Sequence, residues 1–155
     1  MILYLDASAL VKRYVAEVGT AEMGEAISLA AVTGTAVVSR AEVAAALGKA
    51  VRVNALTPEA ALAALQVFRS DWPDLVRIQV TEMVVARADA LAWDHNLRGY
   101  DAVQLAAALA WQDALGEQVT LATFDKDLWT AVGSVGLAPC PTNLPAMLQA
   151  WKAAP

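Results

Sequence analysis

Four carboxylates of this chain stand where one predicted element gives way to the next. Asp6 and Asp125 each follow a short apolar run, Glu42 enters a helical pattern, and Asp101 opens another. Carboxylates gathered in one pocket raise one another's pKa, and a hard divalent cation relieves their repulsion because it prefers oxygen ligands. An ion held in this way lowers the pKa of water for attack on a phosphodiester. The pattern therefore predicts a metal-dependent hydrolytic site, provided that the fold brings the four side chains together.

The strands that must position these residues are short apolar runs, most of them rich in β-branched residues. Four buried strands are predicted, at 2–5, 36–38, 75–80 and 119–122, with a weak edge strand at 137–140. Strands that alternate with helices favour a parallel sheet. The predicted fold class is α/β, a three-layer α/β/α sandwich around a central, mainly parallel sheet of four to five strands.

Helical patterns fill the segments between these strands, and capping residues mark several of their ends. Thr57 followed by Pro58 starts one helix and Thr81 starts another, while Gly99 is predicted as a left-handed stop before the helix of Asp101. The segment 128–151 is broken by glycine and proline, which favours loops and short structure over a helix that spans a membrane. The predicted helices cover about 7–14, 20–31, 39–53, 57–70, 81–97, 101–115 and 125–132.

The topology of a parallel sheet predicts where three of the four acids lie. Ligands of such sheets bind at the carboxyl ends of the strands. Asp6 and Asp125 each follow a strand, and Glu42 follows the strand at 36–38 by one turn of helix, so all three are expected at that edge. Asp101 follows a helix instead, so the strand rule does not place it.

Each acid except Asp6 has a plausible structural role as well. Asp101 and Asp125 suit helix N-caps, and Ser39 with Glu42 matches a capping box. These roles can coexist with metal binding. Asp6 argues for function on its own, because an aspartate that ends an apolar strand is costly to bury without a partner.

Composition limits the classes of protein that fit. The 155 residues suit one domain, 1–155, and the net charge of -5 excludes binding of nucleic acid by overall charge alone, so any such contact must be local. Cys140 is the only cysteine, which excludes an intrachain disulfide and a thiolate metal cage. The N-terminus has no basic leader or long apolar stretch, so a cytoplasmic protein without a signal peptide is expected.

Four segments of the chain carry a resemblance that covers nearly its whole length. They are Leu-Asp-Ala-Ser-Ala-Leu-Val-Lys-Arg-Tyr at 5–14, Ser-Arg-Ala-Glu-Val at 39–43, Gly-Tyr-Asp-Ala-Val-Gln-Leu-Ala at 99–106 and Leu-Ala-Thr-Phe-Asp-Lys-Asp-Leu at 121–128. In this order they resemble the motifs of PIN-domain ribonucleases. The small size and the first segment are most similar to the VapC toxins of toxin–antitoxin pairs.

This resemblance implies a PIN-like nuclease domain with a complete acidic site. The family's metal-binding and catalytic acids correspond to Asp6, Glu42, Asp101 and Asp125. The family also implies Mg²⁺ or Mn²⁺ as cofactor, endonucleolytic hydrolysis of RNA, a homodimer and a small antitoxin partner. The positions that support the acids correspond to Ser8, Thr123 and the auxiliary carboxylate Asp127.

Basic residues close to the motifs are candidate contacts for RNA phosphates. They are Arg40, Arg98, Lys12 and Arg13, with ordinary surface pairing as the alternative role. Two other functions remain open at this point. One is a non-catalytic module of the same fold that binds RNA or protein; the other is an aspartate-based phosphotransfer domain, whose usual Asp-x-Asp-x-Thr pattern Asp6-Ala7-Ser8 does not match.

Overall fold

A five-stranded parallel sheet forms the centre of the computed structural model, which describes residues 1–154. The strands are β1 (Ile2–Leu5), β2 (Val32–Ala36), β3 (Val76–Ile78), β4 (Val119–Ala122) and β5 (Ala138–Cys140). Their order across the sheet is β3-β2-β1-β4-β5, and every neighbouring pair is parallel. Strand β1 therefore lies at the centre, as expected for a strand whose residues Leu3, Tyr4 and Leu5 are all fully buried.

Helices cover both faces of this sheet. Within residues 1–154 they are α1 (Ala7–Leu10), α2 (Thr20–Leu29), α3 (Ser39–Arg52), α4 (Pro58–Asp71), α5 (Glu82–His95), α6 (Gly99–Leu115), α7 (Lys126–Ser134) and α8 (Leu144–Ala153). Short 3₁₀ turns follow α1 at Val11–Arg13 and α4 at Trp72–Asp74. None of the helices in this part of the chain has the length and apolar character needed to cross a membrane.

The alternation of side chains along β1 divides the core into two layers. Leu3 and Leu5 pack with residues of α1 to α4 on one face, whereas Tyr4 packs with α5, α6 and α7 on the other. Each large apolar side chain buried in this way contributes about 1.5–3 kcal/mol. The predicted three-layer α/β/α sandwich with a parallel sheet is therefore confirmed.

Two strands differ from their predicted positions. Strand β2 covers Val32–Ala36, whereas the sequence prediction placed it at 36–38 and left Gly34 between a helix and a strand. Gly34 lies inside the strand because the ring of Trp111 covers it, and a Cβ at this position would stand 2.7 Å from that ring. Strand β3 is a three-residue edge strand at Val76–Ile78 rather than a buried strand at 75–80.

The helix ends also correct three predictions. Helix α5 ends at Asn96, which adopts the left-handed conformation with φ 52°, whereas Gly99 is the first residue of α6. Asp101 consequently lies in the first turn of α6 and is not its N-cap. Helix α8 was missed, because Pro145 stands in its first turn, where proline is tolerated, and does not break it.

The predicted caps gave mixed results. The hydroxyls of Thr57 and Thr81 accept hydrogen bonds from the amides of Ala60 and Val84, as predicted for N-caps. The capping box at Ser39 is wrong. Ser39 lies inside α3, fully buried, and its Oγ accepts bonds from other side chains instead of from the helix backbone.

Candidate active site

The carboxyl edge of the sheet carries a polar cleft of about 280 Å³. Asp6 follows β1 and caps α1, Asp125 follows β4 and caps α7, and Glu42 lies in the first turn of α3. Asp101 reaches the same cleft because the left-handed turn at Asn96 lets α6 begin there. The structure thus brings the four acids together, including the one that the strand rule could not place. Their part in catalysis stays a prediction.

Asp6 is the most buried of the four carboxylates and is held by three hydrogen-bond donors. Its side chain accepts hydrogen bonds from the amide of Ala9 at 2.8 Å, the hydroxyl of Ser8 at 2.7 Å and the hydroxyl of Thr123 at 2.6 Å. The residue is only 4% exposed. The local order follows from its place as N-cap of α1, immediately after the central strand.

Burial leaves Asp6 reluctant to ionise. Its pKa is raised to about 6, mainly because burial removes solvent and slightly because of the charge of Asp101, while the hydrogen bonds from Thr123, Ala9 and Ser8 partly oppose the rise. All three hydrogen-bond donors are uncharged. They fix the carboxylate oxygens without cancelling the negative charge, so a cation in the cleft would find an uncompensated ligand.

Glu42 is oriented by a buried glutamine that the sequence prediction missed. Nε2 of Gln104 donates to Oε2 of Glu42 at 2.6 Å and to Oγ of Ser39 at 2.9 Å. Burial raises the pKa of Glu42, the bond from Gln104 lowers it, and the charge of Asp101 raises it. Gln104 follows Asp101 by three residues, which puts both on one face of α6, and this spacing was the available signal in the sequence.

The other end of Gln104 is held by the central strand. The hydroxyl of Tyr4 donates to Oε1 of Gln104 and accepts a bond from the amide of Ala36 at 3.1 Å. Thr35 completes the cluster by donating to Ser39. Within residues 1–154, no buried side-chain nitrogen or oxygen lacks a partner, so this polar chain is fully satisfied and rigid.

Asp101 and Asp125 form the outer side of the cleft and share one cation. Nε of Arg98 donates to Oδ2 of Asp101 and Nη2 of Arg98 to Oδ2 of Asp125, each at 2.8 Å. Partial burial raises the pKa of Asp101, the bond from Arg98 lowers it, and the charge of Asp125 raises it. The two carboxylates raise the pKa of Arg98 in turn.

Thr123 and Ser8 join the two sides of the cleft. Oγ1 of Thr123 donates to Asp6 and accepts the amide of Asp125 at 3.0 Å, while Oγ of Ser8 accepts the amide of Phe124 at 2.9 Å. Both hydroxyls thus contact Asp6, and their supporting role in the site stays a prediction. Asp127 is exposed, does not line the cleft, and offers its amide to Oδ1 of Asp125.

The four basic residues predicted to contact RNA have different surroundings. Lys12 is buried, and its Nζ donates to Glu17 and to the carbonyl of Val18, each at 2.8 Å, which leaves it poorly placed for a phosphate. Arg13 pairs with Asp71 at 3.1 Å. Arg40 is exposed over the ring of Trp72, and only Arg98 lines the cleft among the basic side chains of residues 1–154.

The donor set of the cleft suits a hard divalent cation. Its charged ligands are carboxylates, and the pKa of Asp6, Glu42 and Asp101 is raised mainly by burial, with a smaller contribution from a neighbouring carboxylate. Across residues 1–154, no three acidic, histidine or cysteine side chains are close enough to form a ready ligand group. Mg²⁺ keeps several waters and uses one or two carboxylates, so the residues fit it without such a group.

Comparison with known proteins identifies the family. The family model of the PIN domain matches residues 3–133 of this chain. The chain belongs to the PIN-domain family. Over 148 residues it is 34% identical to two relatives, Ribonuclease VapC45 and Ribonuclease VapC49 of Mycobacterium tuberculosis strains CDC 1551 / Oshkosh and ATCC 25618 / H37Rv, respectively. These alignments cover 92% of this chain and 97% of each relative.

Solved structures share the PIN fold of this chain at low sequence identity. A toxin–antitoxin complex from Klebsiella pneumoniae contains a chain with a TM-score of 0.64 and 18% identity, covering 88% of this chain and 95% of that one. The crystal structure of PAE2754 from Pyrobaculum aerophilum gives a TM-score of 0.62 and 19% identity, covering 96% and 90%. Both likenesses support the α/β architecture.

Proposed function

We propose that this protein is an endoribonuclease that depends on Mg²⁺ or Mn²⁺ and hydrolyses RNA phosphodiester bonds. The observation that carries the proposal is the convergence of Asp6, Glu42, Asp101 and Asp125 on one cleft at the carboxyl edge of the sheet. The relatives at 34% identity that are named ribonucleases support the choice of substrate. The same relatives support a role as the toxin of a toxin–antitoxin pair.

The four acids would hold the ion, and their side chains differ in how they are held before it binds. Asp6 and Glu42 are held by neutral hydrogen-bond donors, so their oxygens are positioned before an ion arrives. Asp101 and Asp125 close the cleft from the solvent side. When bound, a divalent cation supplies positive charge that stabilises the phosphorane-like transition state, and it acidifies water for attack.

RNA phosphates would be bound by local positive charge, because the net charge of the chain is -5. Arg98, which lines the cleft, and the exposed Arg40, which lies two residues before Glu42 in α3, are the best placed of the predicted contacts. The overall charge argues against binding of nucleic acid by net charge alone, so the contacts must be local.

The proposed partners are a second copy of the chain and a small antitoxin. The Klebsiella structure is a toxin–antitoxin complex, which supports an antitoxin for this chain. Exposed apolar residues on α2 and α4, among them Leu29, Leu62 and Val67, offer surface for such a partner or for the dimer. A cytoplasmic location is proposed with them.

The decisive experiment is an RNA cleavage assay. The purified protein is incubated with structured RNAs in Mn²⁺ or in EDTA, beside Asp6→Asn and the control Asp113→Asn, whose carboxylate pairs with Arg87 outside the cleft. We expect cleavage by the wild type and the control in Mn²⁺ only, and none by Asp6→Asn. Cleavage that survives both chelation and the Asp6 substitution contradicts the mechanism, and RNA binding without cleavage indicates a non-catalytic module.

A further inference from the structure

Arg98 holds the outer side of the cleft together. Its guanidinium spans two of the four carboxylates, with Nε on Oδ2 of Asp101 and Nη2 on Oδ2 of Asp125. No other basic side chain of residues 1–154 lines the cleft. Arg98 is therefore the internal cation that partly offsets the charge of the acidic site.

The two contacts of Arg98 are easily exchanged. Its side chain is 78% exposed, while those of Asp101 and Asp125 are 18% and 25% exposed. Exposed ion pairs add little to stability, because water screens them and the long side chain loses freedom in making them. Arg98 also stands at the N-cap position of α6, outside the helix, so it can turn away without disturbing the helical backbone.

A divalent cation bound by Asp101 and Asp125 competes with Arg98, which contacts Oδ2 of both carboxylates. The competition is strongest at Asp125, because its Oδ1 already accepts the amides of Asp127 and Leu128 and its Oδ2 is the oxygen open to the ion. Binding of the ion therefore weakens the contacts of Arg98 with the two carboxylates, and these contacts weaken binding of the ion by the same factor. Once released, the guanidinium lies beside the cleft as a planar group whose paired N–H donors match a phosphate. Metal binding and substrate binding would then be coupled through one side chain.

We propose that Arg98 is a displaceable cation that competes with the divalent ion for Asp101 and Asp125 and, when displaced, binds a phosphate of the RNA. The inference rests on the proposed function, since it assumes that these carboxylates hold metal. It assigns Arg98 a positioning role that is distinct from general attraction of RNA. It also predicts that removal of Arg98 strengthens binding of the divalent ion and weakens binding of RNA.

Calorimetry without RNA tests the competition directly. Mn²⁺ is titrated into the wild type, Arg98→Gln and the control Arg87→Gln, which removes the same charge from an ion pair with Asp113 outside the cleft. We expect Arg98→Gln to bind Mn²⁺ roughly 3- to 10-fold more tightly than the wild type, and Arg87→Gln to bind nearly unchanged. Equal or weaker binding by Arg98→Gln overturns the proposal, as does an equal gain in Arg87→Gln.

The displacement has a spectroscopic signature as well. In ¹⁵N-labelled protein, the Nε signal of Arg98 is assigned as the signal lost in Arg98→Gln, and Mg²⁺ is used because it is diamagnetic. We expect this signal to shift and saturate with Mg²⁺, since Nε leaves Asp101. A signal that stays unchanged while calorimetry shows bound ion overturns the displacement, whereas a wild type that binds no ion overturns both this inference and the metal dependence.

The phosphate contact is tested by kinetics. For Arg98→Gln we expect the KM for RNA to rise several-fold while the Mn²⁺ concentration that gives half-maximal rate falls. If Arg98 had a purely structural role, its substitution would raise both the KM for RNA and the Mn²⁺ concentration that gives half-maximal rate. An unchanged KM contradicts the phosphate contact even where metal binding is tightened.

Discussion

The inner and outer sides of the acidic cleft are built in different ways. On the inner side, Asp6 and Glu42 are held by neutral donors, the hydroxyls of Ser8 and Thr123 and the amide group of Gln104. On the outer side, Asp101 and Asp125 share a charged and exposed partner, and Oδ1 of Asp125 also accepts two backbone amides of α7. The inner side is thus fixed in position and left uncompensated in charge, whereas the outer side is compensated in charge and free to exchange its partner.

This difference shows how a fold can prepare a site for a ligand at a cost to its own stability. Neutral donors keep oxygens in place but leave the penalty for burying charge largely unrelieved. A charged partner relieves the repulsion, but a ligand must then replace it. The two kinds of partner predict different responses to substitution, and the expected effects decrease from the inner to the outer side of the cleft.

The largest effect is expected for Asp6→Asn in the presence of EDTA. A rise of about two units in the pKa of Asp6, to about 6, corresponds to a penalty of at most about 3 kcal/mol for the ionised folded state. Because the folded pKa lies above the unfolded one, the penalty is fully present above pH 6 and disappears as the pH falls toward 4. Asp6→Asn should therefore be more stable than the wild type at pH 7.5, with the advantage lost near pH 4.

Urea denaturation at several pH values measures this difference. Asp113→Asn serves as the control, since its carboxylate is exposed and lies outside the cleft. A stability difference between Asp6→Asn and the wild type that does not change with pH would show that Asp6 ionises as freely as an exposed aspartate. The inner side would then carry no stored charge penalty.

An intermediate effect is expected for Gln104→Leu. The change leaves the buried hydroxyl of Tyr4 without its acceptor and Glu42 without its donor, which should lower the free energy of unfolding by about 1–3 kcal/mol. Loss of a supporting bond of this kind typically reduces activity or metal affinity 10- to 100-fold. Thermal denaturation and Mn²⁺-dependent RNA cleavage are the measurements.

Gln112→Leu is the matched control for that substitution. Gln112 lies on the same helix, but its side chain accepts a bond from the amide of Val119 and does not reach the cleft. It should lose some stability and keep its activity once folded. If Gln104→Leu also keeps full activity at temperatures where it is folded, Glu42 does not depend on Gln104 for its orientation.

The smallest effect on stability is expected for Arg98→Gln. Its two ion pairs are exposed, and such pairs contribute about 0–1 kcal/mol each. The melting temperature in EDTA should change by no more than a few degrees, and the change should shrink further in 0.5 M salt. A large, salt-independent loss would mean that the outer side is as fixed as the inner one, which removes the contrast.

Much of the architecture was predictable because local patterns and topology agreed. The central strand, the edge strand at Ala138–Cys140 and the helices capped by Thr57 and Thr81 follow from apolar runs and capping chemistry. Strand β2 was misplaced because its sequence Val-Thr-Gly-Thr-Ala contains two threonines and a glycine and so lacks the apolar run expected of a buried strand. Only the tertiary contacts with Leu5 and Trp111 explain these residues.

The site was predictable in its acids and not in their supports. Asp6 and Asp125 follow from the strand rule, but the position of Asp101 depends on a helix start set by Asn96 rather than by Gly99. Both asparagine and glycine tolerate a left-handed turn, so the sequence alone did not decide between them. Gln104 escaped notice because its three hydrogen bonds join residues from distant parts of the chain.

The two outer strands of the sheet limit pairing with a strand from another chain. Strands β3 and β5 have only three residues each, and β5 contains Pro139, which has no backbone N–H to offer a new neighbour. Edges this short give an incoming strand little to pair with, so the sheet resists extension into larger β-structures. Both edges of the sheet are therefore poor sites for pairing with a strand of another chain.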